Sequence, residues 1–385
     1  MSYTLSDIAF FRAHASDIAA ATADLPLTKK SLVGDVATLR KQFGEHGRAV
    51  AELAGARRGD KLPGHWLMDH DSAQQATPLP VARYRAQLLR EAGVELVHDV
   101  TCSIGTEGSA YRPGTYVGSD LDRVRVEMAR HNVAHPVFQA DALTRTTTAP
   151  VVIADPARRA GGNRITRLDQ LLPPLPDLLS AHAELAVKCA PGIDYSEWEG
   201  LVTVVSLDGG VKETCLYTPV LGRGRRAVML RTQGGEVGVD VLDDSAAEED
   251  LPEAGKIGRF IIDPDGAVVR AGLVRHYAAR EGLRQLDPRI AYLTGERIPQ
   301  GASGFPFIEA VPMKKLKAAM AAHDVGSLEI LVRGQDVDPD QLRKKLKLRG
   351  STAKTVVITR IGAQGIALLC GPRVVSGEGN YATKF

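Results

Sequence analysis

From Val94 onward the chain repeats one pattern: a short run of β-forming residues, a turn, and then a helical stretch. The runs are Glu95–Thr101, Thr115–Ser119, Pro136–Ala140, Val151–Ala154, Ala183–Lys188, Leu201–Leu207 and Arg226–Arg231. Consecutive parallel strands need a crossover of a dozen residues or more, which a helix supplies, so this alternation admits few folds. It predicts a doubly wound α/β sheet in which the last two runs form a closing antiparallel pair.

The flanking regions read differently. Phe10 to Gly93 shows helical spacing, as in Val36, Leu39, Phe43 and Val50, then Val81, Tyr84, Leu88 and Leu89. Gly59–Pro80 reads as an irregular connection between helices. Gly234–Gly255 is polar and acidic, the composition of a solvated linker, and Ala267–Leu293 reads as helical. From Pro306 a small α+β pattern follows: helix Lys314–His323, strand Ser327–Val332, helix Asp338–Leu348, and strands Thr355–Thr359 and Gly365–Leu369. A chain of 385 residues exceeds one ordinary core. The expected division is an N-terminal helical region 1–93, a sheet domain 94–233, a connection 234–305 and a basic domain 306–385.

Cys102, Cys189, Cys215 and Cys370 lie far apart, with no CxxC or Cys/His pairing. That spacing suits neither a zinc site nor a disulfide framework, and no metal is expected. Asp7, His14 and Asp17 interrupt the N-terminus, which lacks the basic start and apolar core of a leader. No apolar stretch reaches membrane-spanning length, so the expected compartment is the cytoplasm, with no membrane partner.

Asp99-Val100-Thr101-Cys102-Ser103-Ile104-Gly105-Thr106-Glu107-Gly108 turns the first strand through small residues toward a helix. Such a turn lets a ligand approach the backbone closely. The second run ends at Asp120, 21 positions after Asp99, where a carboxylate can accept ribose hydroxyls. The third ends at Asp141, in reach of an adenine amine. The turn lacks the glycines that cradle a dinucleotide pyrophosphate at a helix N-terminus. A cofactor carrying a sulfonium and an ammonium suits one glycine and several carboxylates better.

These segments resemble the motifs of class I S-adenosylmethionine-dependent methyltransferases. Asp99–Glu107 resembles the first motif, Gly118-Ser119-Asp120 with Ala129-Arg130-His131-Asn132 the second, Asp141 the third and Asp155-Pro156-Ala157-Arg158 the fourth. More narrowly, nearly the whole chain is similar to bacterial methyltransferases that end in a THUMP-like domain, with a catalytic part resembling trimethylguanosine synthases. The resemblance implies a Rossmann-like sheet and S-adenosylmethionine as cofactor. It implies cofactor contacts from Asp99, Cys102, Ser103, Gly105, Asp120 and Asp141, with Gln75 and Thr77 as secondary candidates. Ser103 stands where the family usually has glycine.

The fourth strand end, Asp155-Pro156-Ala157-Arg158-Arg159, is the expected chemical site. Proline fixes the backbone there and holds the preceding acid toward the ligand. Related enzymes that methylate base amino groups carry an acid or Asn, Pro-Pro and an aromatic. Here Arg158 takes the aromatic's place. Asp155, Pro156 and Arg158 are therefore the expected catalytic residues, and Arg159 an anchor for the substrate backbone. Lys188 and Asp194 are expected to line the mouth of the site. Cys189 sits in a Cys-x-Pro sequence like that of uracil-C5 methyltransferases, but a buried structural cysteine is the preferred reading.

Between Gln341 and Arg360 there are seven basic residues and no acid. Arg343, Lys344 and Lys347 fall on one helical face, while Leu342, Leu346 and Leu348 turn inward. Lys314, Lys315, Lys317 and Arg333 add to the basic balance. Such a patch is an electrostatic footprint for phosphates, and few aromatics interleave it, which favours structured RNA. The resulting reading is methylation of a base in structured RNA. Its rivals are a methyltransferase acting on a protein or small molecule, and an RNA binder that has lost catalysis.

Overall fold

A computed structural model describes residues 3–157, 159–160, 163–165, 167–247, 251–376 and 383–384, of which 159–160, 163–164 and 383–384 are described by backbone only. The chain forms two compact units, Met1–Val202 with Lys212–Arg223, and Thr203–Val211 with Gly224–Phe385.

The first unit begins with helices α1 (Leu5–Ala13), α2 (Ala15–Thr22), α3 (Leu32–Phe43), α4 (Gly47–Ala56), α5 (His70–Gln75) and α6 (Leu79–Glu91). Local chemistry starts several of them. Thr4 and Asp7 form a capping box at α1, and Asp69 with Ser72 forms another at α5. Helix α5 therefore interrupts the stretch read as irregular. The sheet follows with β1 (Val97–Asp99), β2 (Tyr116–Asp120), α7 (Arg123–Asn132), β3 (Val137–Gln139) and β4 (Val151–Ala154). After β4 come the short pair β5 (Arg159–Ala160) and β6 (Asn163–Arg164), then α8 (Leu175–Ala181) and β7 (Leu185–Cys189). Strands β8 (Leu201–Leu207) and β9 (Gly210–Tyr217) carry the chain between the units.

Within the first unit the strand order is β3-β2-β1-β4-β7-β9. All neighbours are parallel except β7 and β9, which pair antiparallel with Lys188 opposite Cys215. The order reverses at β1, whose neighbours are β2 and β4, and this switch point is where open α/β sheets hold ligands. Strand β9 was not anticipated. Its Lys212-Glu213-Thr214 stretch is too polar to read as a buried strand.

The N-terminal helices pack on α7: Phe11, Leu39, Leu53, Trp66 and Met68 share a core with Val126, Met128 and Ala129. Asn132, at the end of α7, clasps this layer. Its amide donates to the carbonyls of Leu67 and Ile104, both at 2.9 Å, and accepts the Leu67 N–H at 2.8 Å.

The second unit contains β10 (Gly224–Gln233), β11 (Glu236–Asp243), β12 (Phe260–Ile262), α9 (Gly266–Arg270), α10 (Val274–Glu281), β13 (Arg284–Asp287) and β14 (Ile290–Gly295). It continues with β15 (Ser303–Pro312), α11 (Leu316–Ala322), β16 (Val325–Val332), α12 (Pro339–Leu346), β17 (Thr352–Ile361), β18 (Gln364–Cys370), β19 (Val374–Val375) and β20 (Thr383–Lys384). Two expectations are corrected here. The presumed linker opens as a hairpin: Gly234 and Gly235, at φ 56° and 85°, turn β10 directly into β11. The stretch Ala267–Leu293 is two short helices followed by strands β13 and β14.

One sheet of this unit runs β13-β14-β12-β15-β18-β17-β16, with β16 and β17 parallel. Helices α11 and α12 cover one of its faces. Leu316 and Met320 of α11 and Leu346 of α12 share a core with Val356, Ile358 and Leu369, while Val357 and Leu368 turn to the other side with Phe305 and Tyr292.

Asn132→Ala leaves two inward carbonyls and one N–H without their partner. It is expected to cost about 1–3 kcal/mol, read from the urea midpoint, with the circular-dichroism spectrum unchanged.

Candidate active site

Strand β1 ends at Asp99, which is 2% exposed. Its carboxylate accepts the Thr101 N–H and the Tyr116 hydroxyl, each at 3.1 Å. Burial pushes this carboxyl up to about 7, and the negative charge of Glu107 adds to the effect. Lys188 and the two donors work against it.

The next turn carries two left-handed residues, Ser103 at φ 50° and Gly105 at φ 90°. Gly105 takes this conformation freely, whereas a side chain at Ser103 costs about 1 kcal/mol. The Ser103 N–H donates to Asp120 Oδ2 at 2.9 Å, and the Asp122 N–H donates to Oδ1 at 2.9 Å. Asp120 thus staples the β1 turn to the end of β2. Cys102 turns its thiol inward, against the space above Gly118, where an added Cβ would come within 3.2 Å of the sulfur. Burial holds that thiol well above its usual range. The main chain of Cys102 shapes the turn, its carbonyl accepting the Gly105 N–H at 2.8 Å.

Strand β4 delivers Asp155. Its N–H donates to Thr101 Oγ1 at 2.6 Å, and its Oδ2 lies 2.9 Å from Lys188 Nζ. Pro156 is buried, and Ala157 bridges to Leu172. Arg158 lies outside the described residues, and so does the Arg159 side chain.

Lys188 was expected at the mouth. It lies beneath it instead, with a side chain 6% exposed, because it belongs to a buried chain of charges. Its ammonium also lies 3.2 Å from Glu107 Oε1. Glu107 in turn meets the Arg85 guanidinium side on, at 3.2 and 3.3 Å, and Arg85 Nη2 lies 2.6 Å from Glu213 Oε1. Arg85, Glu107 and Glu213 are each no more than 3% exposed. Burial opposes the charge on Arg85 and on Lys188. The adjoining carboxylates outweigh it and hold both cations well above their usual range. Burial likewise opposes the charge on Glu107, and Arg85 and Lys188 bring its carboxyl below the ordinary value.

The other expected residues are placed as follows. Asp141 is exposed after β3, its carboxylate accepting the Leu143 N–H at 2.9 Å. Thr77 is buried and Gln75 exposed on either side of the end of α5. Asp194 is exposed and accepts from both the N–H and the hydroxyl of Ser196. Cys189 is fully buried.

Arg85, Glu107, Glu213 and Thr101 were missed. Arg85 did leave a signal: a charged residue on the apolar stripe of α6, four after Val81 and three before Leu88. Glu107 lay within the turn that resembles the first motif, with no role assigned to it, and Glu213 sat on the unanticipated strand.

In the second unit Arg343, Lys344 and Lys345 are exposed on α12. Lys347 is exposed too but does not share their helical face, since the helix stops at Leu346 and Lys347 turns left-handed at φ 51°. Arg343 pairs with Asp340 at 2.7 Å. Arg333 is spent on Asp263 and the Ala291 carbonyl, over the Tyr292 ring.

Residues 302–372 match the family model described as THUMP domain-like. Proteins of Mycobacterium tuberculosis strains CDC 1551 / Oshkosh and H37Rv, each described as an uncharacterised S-adenosylmethionine-dependent methyltransferase, are 44% identical over 366 residues. The alignment spans 87% of this chain and 99% of each relative. The chain belongs to the S-adenosylmethionine-dependent methyltransferases. A crystal structure from Porphyromonas gingivalis W83, of a protein assigned as a methyltransferase, shares this methyltransferase's fold. It matches with a TM-score of 0.68 at 20% identity, over 92% of this chain and 98% of that one.

The enzyme's strand ends fit its cofactor. The acids Asp99, Asp120 and Asp155 stand at these strand ends, and the Ser103 amide that could meet a phosphate is already bonded to Asp120. Among the described residues no cluster could hold a metal ion, and no helix is long and apolar enough to cross a membrane.

Arg85→Met strands buried Glu213, leaves Glu107 with Lys188 alone, and is expected to lower stability by about 3–5 kcal/mol in urea unfolding. Asp99 gives a pH signature. Raised from 3.8 to about 7, it stays protonated in the folded free enzyme across a window where the unfolded chain has ionised. The parent therefore loses stability as pH rises through that window. Unfolding midpoints of Asp99→Asn and the parent are expected to shift in the variant's favour between pH 4 and 7, then run parallel; parallel curves throughout would refute the assignment.

Proposed function

We propose that this methyltransferase modifies a base in structured RNA, in the cytoplasm, with its THUMP-like region gripping the RNA backbone. The observation that carries this reading is the placement of the basic side chains. Lys314, Lys315 and Lys317 beside α11, and Arg343, Lys344 and Lys345 on α12, are all exposed, and both helices cover the same face of their sheet. That layer lies within the segment matching the THUMP domain-like model, and THUMP-type modules are associated with RNA binding. Lys347 adds charge just past the helix end. Contacts of this kind act on phosphates and carry no base preference.

Bound S-adenosylmethionine supplies an electrophilic methyl group on its sulfonium. The protein's share is alignment and charge placement. In this reading Asp120 accepts the ribose hydroxyls with the lone pairs left by its two backbone bonds, and Asp99 lies beneath the methionine part as a hydrogen-bonding group. Ser103, Gly105 and the Cys102 main chain form the wall of the turn. Asp141 serves the adenine end, with Gln75 and Thr77 alongside. Asp155, pinned by Thr101 and Lys188, accepts a hydrogen bond from the target group, while Pro156 fixes its backbone. Arg158 and Arg159 hold the RNA beside it, and Asp194 borders the entrance.

The test is methyl incorporation from labelled S-adenosylmethionine into total bacterial RNA, together with filter binding of the same RNA. Lys344→Glu with Lys347→Glu is expected to weaken RNA binding at least tenfold and to flatten its salt dependence by about one to two in log–log slope. Cofactor affinity by calorimetry should stay unchanged. Incorporation into protein but not RNA would replace this reading.

A further inference from the structure

Lys188 has no role in cofactor chemistry by position alone, yet it occupies the centre of the site. A buried ammonium needs compensation. Lys188 finds it in two carboxylates of different kinds: Glu107, 3% exposed and also gripped by Arg85, and Asp155, whose side chain is 26% exposed. The first is an anchor sealed in the core. The second reaches solvent at the carboxyl end of β4. Charge therefore runs from Glu213 and Arg85 through Glu107 and Lys188 to one exposed carboxylate.

We propose that Lys188 is a positioning residue that keeps Asp155 ionised and oriented, with Glu107 and Arg85 fixing Lys188 from below. Two restraints among the described residues act on Asp155. Thr101 Oγ1 holds its main chain at 2.6 Å, and Lys188 holds its carboxylate at 2.9 Å. A carboxylate so held only accepts hydrogen bonds. The group it meets must bear a hydrogen, as an exocyclic amine or a hydroxyl does. An unprotonated ring nitrogen is met as a repelled lone pair. Asp99, on the neighbouring strand end, is hydrogen-bonded by two neutral donors, Thr101 N–H and Tyr116 O–H. The two acids thus differ: Lys188 pairs directly with Asp155, whereas Asp99 is hydrogen-bonded by neutral donors.

This inference rests on Asp155 being the residue that faces the target group, but its test uses no RNA, so failure of the RNA reading and failure here are separable. The full-length protein is labelled with carboxyl-13C aspartate, and the Asp155 signal is assigned by its loss in Asp155→Asn. Lys188 couples to Asp155, Glu107, Arg85 and Glu213, and its charge is felt at Asp99 and Lys61. Lys188→Met is expected to raise the Asp155 titration midpoint by at least one unit, tenfold in its ionisation constant, and Lys188→Arg to restore it. Glu107→Gln removes a competing anion, so its midpoint should lie at or below the parent's. General loosening of the site would move both variants alike, toward the value of a free aspartate.

An unmoved midpoint in folded Lys188→Met overturns the proposal, as does a rise in Glu107→Gln. If Lys188→Met does not fold, the Glu107→Gln and Lys188→Arg midpoints decide. S-adenosylmethionine affinity by calorimetry is expected to stay within threefold in each folded variant. Its loss in Lys188→Met would tie Lys188 to the cofactor instead and also overturn the proposal.

Discussion

The catalytic unit is organised around charges it has taken out of water. Arg85 and Lys188 are buried with Glu107 and Glu213, and the line of contacts ends at Asp155. Such groups contribute little net stability, because desolvation cancels most of their attraction, and an apolar cluster of equal volume would serve as well. Their value is directional. Arg85 joins helix α6 to the Glu107 turn and to β9, and Lys188 joins β7 to the end of β4. An apolar contact permits sliding, whereas a forked ion pair does not. Five segments of the chain therefore meet in one geometry, beside the sheet's switch point.

The cofactor turn is held by a different economy. It carries one glycine where dinucleotide folds need several, and it tolerates Ser103 in a left-handed conformation. The Asp120 carboxylate offsets that strain by accepting the Ser103 amide, and Asn132 secures the far side through the Ile104 carbonyl. The residues that shape the turn are thus spread over β2 and α7. This is why a lone motif reading sees loop residues where the structure has a fastened corner.

The elements legible in the sequence were the short apolar strands, most of them largely buried. The strands at Val97–Asp99, Tyr116–Asp120, Val137–Gln139, Val151–Ala154 and Leu185–Cys189 lie where apolar runs predicted them. The misreadings have specific causes. Strand β9 hides because Glu213 is an inward-facing charge, paired with Arg85 from a distant helix. Strand β11 hides because its acids, Asp240 and Asp243, alternate with Val237, Val239 and Leu242, and the acids set the local composition. Helix α12 ends a residue before Lys347 because the chain turns left-handed there, a choice no basic run announces.

By itself the sequence determined the alternation of strand and helix, the acids at four strand ends, and a basic segment with no acid in it. Those follow from local period and composition, which a chain carries wherever it folds. Only the tertiary structure decided which charges are buried and whom they meet. Lys188 reads as a residue of the site's mouth and Glu107 as one more turn residue until β4, β7, β9 and α6 converge. The reason is physical: the cost of burying a charge depends on partners up to 128 positions away, as in Arg85 with Glu213, and no local window contains both.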